Sequence, residues 1–116
     1  MLAEPLIALA ARGGNAIVEA ATTTAWPAAR SRMARLFARG EEDRRTVMER
    51  RLEETRTRLD EVRAQELEPL RRRLTQSWTT RLEDLLEDHP DSAGDLRQIL
   101  DGLVSSATRR STGPAG

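Results

Sequence analysis

At 116 residues, with nineteen arginines against nineteen acids and no formal net charge, the chain fits one domain with a single modest core. It contains no cysteine, tyrosine or lysine and one histidine, which excludes disulfide scaffolds, thiol and Schiff-base nucleophiles and most metal sites. The balanced charge lacks the basic excess usual in nucleic-acid binders, and with Trp26, Phe37 and Trp78 as the aromatics, the interior has to be built from Leu and Ala.

A first helix is expected from Glu4, with Pro5 in its opening turn, to Ala21. Glu4, Ala8, Arg12, Asn15 and Glu19 fall within an arc of roughly 80° and every other residue is apolar or small, so its wide apolar face requires cover on more than one side. Gly13 and Gly14 cost about 1 kcal/mol each in mid-helix, a loss that makes sense where a neighbouring backbone approaches closely; Gly14, stacked between Ala10 and Val18, suits such packing. The segment Met1 to Ala21 has no basic leader and is interrupted by Glu4, Arg12, Gly13, Gly14, Asn15 and Glu19, so it reads as neither signal peptide nor transmembrane span, and a cytoplasmic location is expected.

After the break Thr22 to Thr24, Pro27 opens a second helix running to about Arg39 and stopped by Gly40. Trp26, Ala29, Met33, Leu36 and Phe37 gather on one face, and Arg32, Arg35 and Arg39 on the other. From Glu41 a long charged helix follows, its first-turn acids complementing the helix dipole. Its stripe of Val47, Met48, Leu52, Thr55, Leu59 and Val62 has the alternating steps of three and four of a coiled-coil-like seam. A second stripe, Leu67, Leu70, Leu74, Trp78, Leu82, Leu85 and Leu86, is rotated from the first by roughly 120° on an ideal helix. Pro69 lies at the join, which predicts a kink over residues 66–69.

His89 and Pro90 end the fourth helix, and Asp91 or Ser92 caps a fifth whose buried face is Leu96, Ile99, Leu100, Leu103 and Val104. A single helical domain over 1–104 is expected, an apolar hairpin in 1–40 and a charged segment in 41–104, with a disordered tail in 105–116.

Little of this carries chemistry. His89 follows Glu83, Asp84, Glu87 and Asp88, but one imidazole among carboxylates at a helix end reads as a dipole-favoured cation beside a proline stop; no metal, cofactor or catalytic residue is assigned. The arginines of the second helix, and Arg71 to Arg73, offer positive patches for phosphate, anionic lipid or an acidic partner.

Two stretches, Leu9 to Ala16 leading through Ala25-Trp26 to Leu36-Phe37-Ala38-Arg39-Gly40, and Trp78 onward through Leu85-Leu86-Glu87-Asp88-His89-Pro90, resemble a group of small uncharacterised helical proteins common in actinobacteria. The likeness spans about residues 5 to 104. It implies a cytosolic helical protein without assigned activity, some of whose relatives carry Gly- and Val-rich tails suggestive of assembly; here a short polar tail follows Val104 instead.

The expectation is therefore an all-α, non-enzymatic protein–protein interaction or adaptor module, binding a protein partner or forming a homo-oligomer. Met48, Leu52, Leu59 and Val62 are the candidate seam, and Trp26, Met33 and Phe37 the candidate packing or anchoring residues. The alternative is a membrane-surface protein inserting Leu6, Ile7, Leu9, Ile17 and Val18, with arginines at the headgroups.

Overall fold

Two helix starts follow the prolines. Pro5 lies in the first turn of α1 (Glu4–Ala20) and Pro27 in that of α2 (Trp26–Ala38), where a missing N–H leaves no intrahelical bond unmade. α3 (Glu42–Glu61), α4 (Ala64–Asp88) and α5 (Ser92–Ser111) complete an all-α chain of five helices. The computed structural model describes the backbone of residues 2–111 and the side chains of residues 2–104, and no strand occurs among them. α5 runs seven residues into the segment expected to be a disordered tail, in which neither Gly nor Pro occurs between Leu103 and Thr112; residues 112–116 lie outside the described ones.

The kink expected at 66–69 lies upstream. Val62 and Arg63 are extended, with ψ of 149° and 148°, and α4 begins at Ala64, so Pro69 sits inside a helix. Its missing donor costs the single bond to the Gln65 carbonyl, close to a helix end, and the helix continues. The misaligned stripes fix the turn instead. Two extended residues between Leu59 and Leu67 let both faces point inward; a continuous helix over 42–88 would measure about 70 Å, whereas the longest dimension of the molecule is 45 Å.

α1 lies antiparallel against α4, and the two glycines set their separation. A Cβ built on Gly14 would stand 2.8 Å from the Thr75 carbonyl oxygen and 2.9 Å from the Thr79 amide nitrogen, besides striking the Thr79 hydroxyl. At Gly13 a Cβ would meet Leu82 Cδ1 at 2.6 Å, the tip of a flexible side chain. α2 and α3 form a second antiparallel pair, turned by Arg39 and Gly40 at φ of 48° and 88°. The left-handed Arg39 is held by its own guanidinium, which donates to Ser92 Oγ at 2.7 Å and lies 3.5 Å from Asp91 at the start of α5. From there α5 runs back along α2 to Gly102, beside Arg32, and alongside α1, where Leu96 faces Gly13.

The seam residues are interior. Met48, Leu52 and Leu59 are 7%, 0% and 5% exposed, Val62 is half-buried against the same core, and Val47, read as part of the stripe, points outward. A helical wheel shows that a face wants cover but not which chain supplies it; here α2 and α4 of the same chain do. Thr55 sits in this seam because Trp78 needs it: the buried indole N–H donates to Thr55 Oγ1 at 2.9 Å, and the Thr55 hydroxyl in turn reaches the Arg51 carbonyl at 3.3 Å. Phe37 packs on the same ring at 5.8 Å between centroids.

Gly14→Ala is expected to destabilise the protein by about 2 kcal/mol, because the methyl meets backbone that cannot yield locally. Gly13→Ala should fall within about 1 kcal/mol of wild type, the gain in helix propensity offsetting a displaced Leu82 tip. Urea midpoints of the two variants check this; equal effects would mean that α1 and α4 have room to part.

Candidate functional site

The residues singled out by pattern do not assemble into a surface. Trp26, Met33 and Phe37 are 3%, 1% and 8% exposed and belong to the core with Met48, Leu52 and Leu59. Of the five residues expected to insert into a membrane, Leu9, Ile17 and Val18 are buried under α4 and α5, Leu6 is half-buried and Ile7 alone is exposed. No helix among the described residues is long and apolar enough to cross a membrane.

Trp26 does anchor, but internally. Its indole N–H donates to Glu53 Oε1 at 3.0 Å, pinning the start of α2 to the middle of α3. Glu53 also accepts from Arg30 at 2.7 Å and from Arg56 at 3.3 Å. The Trp26 hydrogen bond is the chief cause that holds the Glu53 carboxyl below its ordinary value, the two arginines adding to it against partial desolvation. Three donors converge on the half-exposed Glu53 carboxylate and tie the start of α2 to the middle of α3.

His89 is half-buried at the end of α4, its backbone N–H bonded to the Leu85 carbonyl at 2.7 Å. No three His, Cys, Asp or Glu side chains among the described residues are grouped to hold a metal ion.

What the fold does create is a groove that no single stretch of sequence announces. It has a volume of about 640 Å³ and lies where the second half of α1, the α1–α2 loop, the start of α4 and the far part of α5 meet. α1 contributes Arg12, Asn15, Ala16, Glu19 and Ala20, positions that recur every three or four residues along one face; α4 contributes Arg71, and α5 Leu100, Leu103 and Val104. The face of α5 expected to be wholly buried is therefore not. Leu100 is 3% exposed, Leu103 is half-buried and Val104 is 60% exposed, because α5 follows α1 past the point where larger side chains cover it. The sequence signal was present in a weak form: more apolar positions on α5 than five short helices can bury, opposite the small residues Ala16 and Ala20.

Compared with protein-family profiles, with curated proteins and with solved structures, the chain matches none.

Because the Glu53 carboxyl is lowered in the fold, it favours the folded state above the ordinary glutamate value of 4.5, and that contribution is lost as pH falls through its folded value. Glu53→Gln, which still accepts from Trp26, should be less stable than wild type at neutral pH and converge with it at an acid pH below the folded value of the carboxyl. Urea midpoints at the two pH values measure this; a constant gap between the proteins would show that the carboxylate charge is not coupled to folding.

Proposed function

We propose that the chain is a non-enzymatic helical protein–protein interaction module, and that its receiving surface is the groove between α1, α4 and α5. The carrying observation is an open recess lined by apolar side chains. Trp26, Met33, Phe37, Met48, Leu52 and Leu59 are spent on the chain's own core, while Leu103 and Val104 line an open recess with Ala16 and Ala20. An exposed apolar recess rimmed by polar residues is the usual form of a surface that binds another molecule. Met48, Leu52 and Leu59 are covered by the chain's own helices, so this reading rests on the groove rather than on self-association through that seam.

Two experiments test this reading. Leu52→Glu places a charge at a site with no exposure, and the expected outcome is loss of cooperative unfolding by circular dichroism, since an unpaired buried charge costs several kcal/mol. A variant that stays folded with a smaller mass in light scattering would restore the intermolecular seam. Second, a photo-crosslinking residue at position 104 should give a defined protein adduct in cells that the same residue at Thr57, exposed on α3, does not, with binding reconstituted from the two purified proteins. Adducts at neither position, or to lipid alone, would overturn the proposal.

A further inference from the structure

Resting on that reading, we infer that the groove takes an amphipathic helix whose apolar edge is flanked by carboxylates. Shape comes first. The α1 lining runs from Arg12 to Ala20 and continues at Thr23 and Ala25, so the α1 wall alone is about 12 Å long, with Leu100, Leu103 and Val104 of α5 along the other side. A trough walled by two side-by-side helices and open above accepts a third helix laid lengthwise, reading it as residues spaced three and four apart.

Charge then selects the occupant. Arg12 and Arg71 lie towards opposite ends of the trough, and among the described residues Glu19 is the one other charged side chain that lines it. Arg12 makes no ion pair among the described residues, and Arg71 has only a 3.9 Å contact with Glu68, itself 77% exposed. Rim charges of this kind add modest affinity but discriminate firmly by sign, since a basic partner would bring like charges together at both ends.

The probes are two synthetic amphipathic helices of about 18 residues, identical in their Leu stripe and differing only in Glu or Lys on the flanks. Binding is followed on the intact chain by the methyl resonances of Leu100, Leu103 and Val104. The expected result is that the Glu peptide moves these methyls and binds about tenfold more tightly than the Lys peptide, with the preference shrinking as salt rises. Arg12→Glu combined with Arg71→Glu, changes at an exposed and a half-buried side chain, should reverse the preference while leaving the melting curve in place. Equal binding of both peptides in the groove would overturn the acidic partner and leave the interaction module standing. Methyls that neither peptide moves, or that respond only to sodium dodecanoate, would overturn the inference, and crosslinking at position 104 then decides the module separately.

Discussion

The separation between α1 and α4 is set by bare backbone. At Gly14 the two helices approach so closely that a Cβ would stand 2.8 Å from a carbonyl oxygen, and α5 packs on the pair so formed. With α1 pressed down on α4, Leu9, Ile17 and Val18 reach the interior from a helix whose polar arc faces out. α5 can then lie against both α1 and α2, with Leu96 over Gly13. A chain with three aromatic residues cannot fill wide gaps between helices; bringing backbones together is how a core of Leu and Ala reaches normal packing density.

The second pair, α2 with α3, is fixed by polar contacts at its ends and by Trp78 in its middle. Glu53 gathers Trp26 and Arg30 of α2, and Arg39 reaches across to Ser92 and Asp91. Thr55 meets the one polar demand of the interior Trp78 indole. These bonds supply direction more than energy, because most lie at the surface where ion pairs contribute little. They determine which face of α2 meets α3 and which end of α5 meets the α2–α3 turn.

Much of this architecture could be read from residue order. The wide apolar face of α1, the two glycines placed for close approach, the basic back of α2 and the rotation between the stripes of α3 and α4 are all properties of one helix at a time, and periodicity reports them directly. What periodicity missed required knowing which helices meet. Pro69 pointed to a break that the chain instead makes at Val62 and Arg63, because the orientation of the stripes outweighs one lost hydrogen bond. Met48, Leu52 and Leu59 looked free to meet a partner because the pattern of one helix shows that a face needs cover, not that its chain neighbours α2 and α4 supply it. The groove was the least legible feature, being assembled from residues 12–25, 71 and 100–104, three segments that no local pattern connects.

The Gly14 contact also governs the order in which the molecule can be built. Gly14 and Thr75 are 61 positions apart, so this close approach closes a long loop, whereas the α2–α3 pair joins neighbours across one tight turn. Ribosomal synthesis delivers α1 first, with an apolar face that has no resting place until residues 75–82 have emerged. The most deeply clamped helix is thus the one that waits longest, and its three charged residues, Glu4, Arg12 and Glu19, are what the nascent chain has to keep that face in water meanwhile.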